Sequence, residues 1–399
     1  MKQTALTAAL IMAMTYLPSS HSHTPLNEVP DLSQYTESVQ DWEDHRAFFE
    51  GQSLDVLDIH LHPGSYDKLG PKGKEFVKSV FPVNLPDVLK VPILRLFSSF
   101  QLNPYGAFIG IKNECRKASA NNCILFATYA PETWGIEPNE DLIGYLDDSR
   151  NQFNNQTFFY GLASLSVENW STNKENSLNQ LRNALSHPKI VGIKLAFAHT
   201  LTAFDDRQYF DIYEVAKSFN KPVYHHVGTS PLRKVSEFEE EEREYVFRTF
   251  DPMYLETAIK EFPDVNFIMG HAGNDANVEG FDKVDEVFFL AEKYPNVFIE
   301  VSALGSSRSD PDGSKMERIL MQAKSLNIIH KLIYGSDGPG SPGNIQGYKE
   351  RVIESLQRAN YTFEQAQMVM ADNARALFSI PAPTRPLSVI QQSKQENKN

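Results

Sequence analysis

The sequence predicts an α/β chain closed into a (β/α)8 TIM barrel with long loop insertions over its C-terminal mouth. Three features of the 399 residues lead there. Short apolar runs rich in β-forming residues recur eight times, amphipathic segments separate several of them, and two connections are far longer than a βα unit requires. Strands alternating with helices imply parallel βαβ units, and eight such units fit a closed barrel better than an open sheet.

The elements follow in order. Lys2, an apolar run from Ala5 to Leu17 and the small residues of Pro18–Ser22 have the layout of a secretory signal peptide, so residues 1–22 are expected to direct export to the periplasm or the medium. The apolar run is too short to cross a bilayer comfortably, and no later stretch is long and apolar enough to do so. Residues 23–53 are polar and mixed, an N-terminal arm laid over the fold. The expected barrel occupies 54–380. Its strands are read at Leu54–Leu61, Cys123–Tyr129, Phe158–Leu165, Ile190–Leu195, Pro222–Val227, Val265–Gly270, Val297–Val301 and Lys331–Tyr334. Phe210–Phe219, Pro252–Phe262, Val284–Tyr294 and Met316–Leu326 carry helical amphipathicity between them. The tail 381–399, rich in Pro, Gln and Lys, reads as disordered.

The long connections lie between the first and second strands and after the fifth. Loops that follow strands sit over the C-terminal mouth, where they shape specificity or act as lids. The acidic run Glu239–Glu242 in the second of them reads as a solvated helix face.

Composition narrows the function. The hydrophobic fraction is 41% and the charged fraction 22%, ordinary for a globular protein with a real core. A net charge of −13 argues against a nucleic-acid binder, which normally carries a basic face. A small-molecule substrate remains open, and composition does not address oligomeric state. The only cysteines are Cys115 and Cys123, which could form a disulfide or stay as two buried thiols. Two are too few for a thiolate zinc site, so any metal must be held by histidine and carboxylate.

Histidines supply the chemistry. In LDIHLHPG (57–64), His60 and His62 are one residue apart and share a face of an extended strand, where two imidazoles can hold one metal. A lone pair of this kind is weak, but later strands end on further suitable residues. These are Lys194 in IVGIKLAF, His225 and His226 in KPVYHHVG, His271 in VNFIMGHAGN and Asp337 in KLIYGSDGPG. Imidazole and carboxylate ligands with an open position describe a catalytic site for a borderline divalent ion. His225 and His226 point to opposite faces, so only one reaches the barrel axis.

The ordered set LDIHLH, GIKL, PVYHHVG, FIMGHAG, LIYGSDGPG and DNARALF resembles the amidohydrolase superfamily, in its amidohydrolase-related branch, over residues 54 to 380. The resemblance implies metal binding, with zinc preferred, by His60, His62, His226 and Asp337, and leaves His225 facing the helix layer. It makes His271 a group that contacts the substrate or supports a metal ligand in one-metal members, and a ligand in two-metal members. Lys194 is a carbamylated bridge between two metals, or a lysine beside the substrate or a carboxylate. One ion is the reading taken, with two as the alternative. The implied reaction is hydrolysis of an amide, ester or lactone bond. Asp337 takes the proton of a metal-activated water, and His271 polarises the scissile carbonyl. Non-oxidative decarboxylation, known in the same branch, is the alternative, and a ligand-binding barrel without catalysis is a third reading. Arg233 and Lys234 could bind a substrate carboxylate or be solvated basic residues. His45, His187, His199 and His330 are expected at the surface.

Overall fold

The computed structural model describes residues 47–81, 85–101, 107–304, 310–338 and 343–383. The expected signal peptide, the arm as far as residue 46, His45 and the tail beyond 383 lie outside these. Eight strands form one parallel sheet: β1 (Leu57–Leu61), β2 (Asn122–Phe126), β3 (Phe159–Ala163), β4 (Ile190–Leu195), β5 (Val223–His226), β6 (Phe267–Gly270), β7 (Val297–Val301) and β8 (Leu332–Tyr334). Each pairs with its sequence neighbour. The ring closes where Leu61 bridges Gly338 in parallel and the His62 N–H donates to the Gly338 carbonyl at 2.9 Å.

Every residue of β1, β2, β4, β5 and β6 is buried, as expected of parallel strands covered on both faces. Inside the barrel, Leu57, Ile59, Ile124, Phe126, Leu162, Val191, Tyr224, Ile268 and Ile333 form one cluster, joined by Ala371, Ala374, Phe378 and Ile380 of the last helical segment. Alternate strand residues, such as Cys123, Leu125, Ile193, Val223, Met269 and Ile299, pack outward against the helices. The amphipathic segments supply that layer. In Asp211–Ser218, for instance, Ile212, Tyr213, Val215 and Ala216 are buried. Cys115 and Cys123 are free, buried thiols.

Both long connections contain helices. Pro71–Val80, Asp87–Gln101 and Lys112–Lys117 follow β1. After β5 comes Glu240–Phe247, whose start is a capping box between Glu239 and Glu242. The acidic run therefore opens a helix, with its side chains exposed to solvent.

Candidate metal centre

The strand ends gather the expected histidines at one pole, and β1 reaches it through an irregularity. Its pairing with β2 shifts register between Asp58 and Leu61. Ile59 belongs to the interior cluster, yet the next residue also faces the axis, the His60 ring standing 4.5 Å from Phe126 and 5.1 Å from Tyr224. Consecutive inward residues are forbidden in a regular strand and allowed by a bulge. The Asp58 carboxylate braces the kink, accepting from the His60 N–H at 3.1 Å and the Ser336 N–H at 2.9 Å. Burial pushes that carboxyl up to about 7.

His60 Nε2 lies 2.9 Å from His62 Nε2, and both are 3.3 Å from Asp337 Oδ1. On its other edge, His60 Nδ1 faces Glu300 Oε1 at 3.3 Å, the Tyr224 hydroxyl at 3.0 Å and Ser302 Oγ at 3.1 Å. Glu300 is wholly buried and accepts from the Tyr224 O–H (2.9 Å), the Ser302 O–H (2.9 Å) and the His271 N–H (3.0 Å). A carboxylate held by so many donors takes the ring proton of His60 at Nδ1, leaving the Nε2 lone pair turned to His62 and Asp337. Lone pairs converging in this way are what a divalent cation satisfies.

His226 stands outside this group, whose three donor atoms lie within 4.8 Å of one another. Its Nδ1 is 3.0 Å from His271 Nε2, and its Nε2 is buried without a hydrogen-bond partner. His225 Nδ1 is also buried without a partner, but among the aromatic rings of the helix layer. His226 Nε2 is on the ring beside His271 and His199 at the strand ends, where ligation would offset its desolvation. Counting it, the donors are three imidazoles and a carboxylate, a set that fits a zinc-type ion. His271 Nδ1 is 2.9 Å from Ser302 Oγ, so both nitrogens of His271 are engaged. His225 faces the helix layer, ringed by Phe197, Phe204, Tyr213 and Phe267, with Nε2 3.2 Å from the Tyr213 hydroxyl.

Electrostatics follow from burial. Burial opposes ionisation of Asp337, but the facing His60, His62 and His271 outweigh it and hold the carboxyl below the usual carboxylate range. Burial lowers His271 to about 4 and Lys194 to about 7, in the latter case against the pull of Asp337 and Glu300. Lys194 Nζ sits 4.0 Å from the Tyr224 ring centroid and 5.0 Å from that of Phe126. Its amine is thus held between aromatic faces. Asp337 and His271 both have left-handed backbones, φ 60° and 57°. Such outliers persist only where the surroundings over-determine them.

Gly335 is a requirement of this pole. A Cβ there would lie 2.1 Å from Glu300 Oε1 and 2.8 Å from the His60 Cβ, both buried. Gly335→Ala is expected to destabilise the fold by about 1–3 kcal/mol, the usual scale of overpacking, and to weaken any divalent-metal binding by displacing His60. Thermal unfolding and zinc titration check this, and wild-type values in both would show that the pole yields freely.

One expectation changes. His199 is not a surface residue. The helical turn after β4 buries it, to 3% exposure, with its ring 4.6 Å from that of His226 and Nδ1 3.1 Å from Ser230 Oγ. His187 is half-buried on Asp147, and His330 is exposed. Lys234 is exposed, whereas Arg233 is partly buried, its Nε donating to the His199 carbonyl at 2.9 Å. Glu300, Ser302 and Tyr224 escaped the sequence reading. The signal that could have found Glu300 is a lone charge inside the apolar run VFIEV, which a strand buried on both faces must satisfy.

Fold and pole together define a (β/α)8 barrel with a histidine–carboxylate centre at the C-terminal mouth. A profile of the amidohydrolase family matches residues 170–380, just over half of the chain, and the protein belongs to that family. No curated protein sequence matches it. Solved structures are similar in fold. An uncharacterised TIM-barrel protein from Bordetella bronchiseptica shares 13% identity at a TM-score of 0.54, covering 82% of this chain and 99% of its own. A probable 2-pyrone-4,6-dicarboxylic acid hydrolase from Acinetobacter baumannii shares 16% at 0.53, covering 82% and 100%. A 2,6-dihydroxybenzoate decarboxylase from Rhizobium shares 13% at 0.51, covering 82% and 98%.

Proposed function

We propose that the protein is a metal-dependent hydrolase that cleaves an amide, ester or lactone bond of a small molecule. The observation that carries this is the convergence of His60 Nε2, His62 Nε2 and Asp337 Oδ1 at the barrel mouth. His60, His62, Asp337 and His226 would hold one divalent ion, zinc by its donor set, which when bound supplies Lewis acidity and lowers the pKa of water to about 7. The chain's own groups do the rest. Asp337, with 34% of its side chain exposed, is reachable and accepts the proton of the attacking water, later returning it to the leaving group. Glu300 and Ser302 hold His60 through Nδ1. His271, tied to Ser302 and His226, positions His226 rather than touching substrate.

Decarboxylation is the second reading, supported by the fold shared with the Rhizobium decarboxylase. Release of carbon dioxide, rather than of acid with amine or alcohol, identifies it. The shared test is elemental analysis of protein produced with zinc available. About one zinc per chain, with activity lost on chelation and restored by zinc, is expected. A folded, active protein without divalent metal overturns the reading.

A further inference from the structure

The substrate-facing donor that the pole needs is absent from His271, whose nitrogens are both taken, and present on His199. His199 stands in the turn Phe197–Thr200 after β4, edge-on to His226 with ring centroids 4.6 Å apart, and its centroid is 6.2 Å from that of the Trp134 ring. Its tautomer is set by Ser230, in the loop after β5. Ser230 Oγ accepts from the Leu232 N–H at 3.1 Å and lies 3.1 Å from His199 Nδ1. The hydroxyl proton has no other acceptor among the described residues; donated to Nδ1, it leaves the imidazole proton on Nε2. Ser230 is itself pinned, its carbonyl accepting from the Asn277 side chain at 2.8 Å. His199 Nε2 makes no hydrogen bond among the described residues and is not one of the buried unpaired atoms, so solvent reaches it.

Arg233 completes the arrangement. Its Nε donates to the His199 carbonyl at 2.9 Å, which fixes the guanidinium beside the histidine. Its two terminal nitrogens take no partner, and it forms no ion pair, among the described residues. An imidazole N–H and a guanidinium edge, both donor-only and both pre-positioned by neighbours, match the acceptor oxygens of a carboxylate. Trp134 supplies an apolar wall beside them. We propose that His199 and Arg233, set by Ser230, form the subsite that binds a carboxylate of the substrate, so that this enzyme acts on small organic acids whose carboxylate is remote from the bond attacked. The proposal rests on the metal-site reading above.

The test is calorimetric titration of the zinc-loaded full-length protein with benzene-1,3-dicarboxylate, glutarate and citrate. At least one should bind. For that probe, Arg233→Ala and His199→Phe should each weaken binding by about tenfold or more, the scale of a charge-assisted hydrogen bond. Ser230→Ala should weaken it less. Arg207→Ala, which removes an exposed positive charge paired with Glu261, should leave it unchanged. Nitrogen-15 spectra should show His199 protonated at Nε2 in the wild type and mixed between nitrogens in Ser230→Ala. Binding by none of the three acids, wild-type affinity in the Arg233→Ala or His199→Phe variant, or an Nδ1–H tautomer in the wild type overturns the proposal. Zinc content measured on the same samples keeps the two ideas apart, because failure to take up zinc defeats the metal-site reading instead.

Discussion

Asp337→Asn is expected to lose about 10²-fold or more in turnover while keeping most of its metal, the usual scale for losing a positioned base. The carboxylate oxygen sits 3.3 Å from both His60 Nε2 and His62 Nε2. The surrounding histidines hold it ionised despite its partial burial. Asparagine keeps the size and one ligating oxygen, and it tolerates the left-handed backbone of this position, φ 60°, better than most residues. The substitution therefore removes the basicity with little else, and three imidazoles stay in place for the metal. Substrate affinity should change far less than turnover, because the lost interaction belongs to the chemical step. Steady-state kinetics with metal analysis on this variant decides the matter. Turnover close to wild type with metal retained would assign the base to another group.

The second large effect separates two adjacent histidines. His226→Ala is expected to weaken divalent-metal binding by at least the 10- to 100-fold typical of disturbing a metal site, and to abolish most activity. Its buried, unpartnered Nε2 and the contact of Nδ1 with His271 leave it no other role at this pole. His225→Ala should keep the metal and instead cost about 2–4 kcal/mol of stability. Its ring fills the space among Phe197, Phe204, Tyr213 and Phe267, and burial lowers it to about 3, so it packs as a neutral aromatic. Metal content and thermal unfolding of the two variants read the difference directly. Equal metal in both, or the reverse order, would place the ligand on the wrong histidine.

The eight strands were legible because each is a short apolar run bounded by polar residues, and β4 and β7 begin and end where the pattern does. The alternation of strand side chains also placed His225 and His226 on opposite faces. Identity and order of His60, His62, His226, His271 and Asp337 were likewise written locally, at strand ends. What only the tertiary structure decided depends on residues far apart in the chain. The bulge of β1 turns His60 inward beside Ile59 because Asp58 is braced by Ser336, 278 residues further along the chain. Glu300, Ser302 and Tyr224 come from β7, the residue just after it and β5, and meet at His60 only once the sheet has closed. His199, expected at the surface, is buried because two loops fold over the mouth and Ser230 and Arg233 of one fasten the other. Periodicity along a strand determines which way a side chain points, whereas the groups it meets there are fixed by packing between segments that share no local pattern.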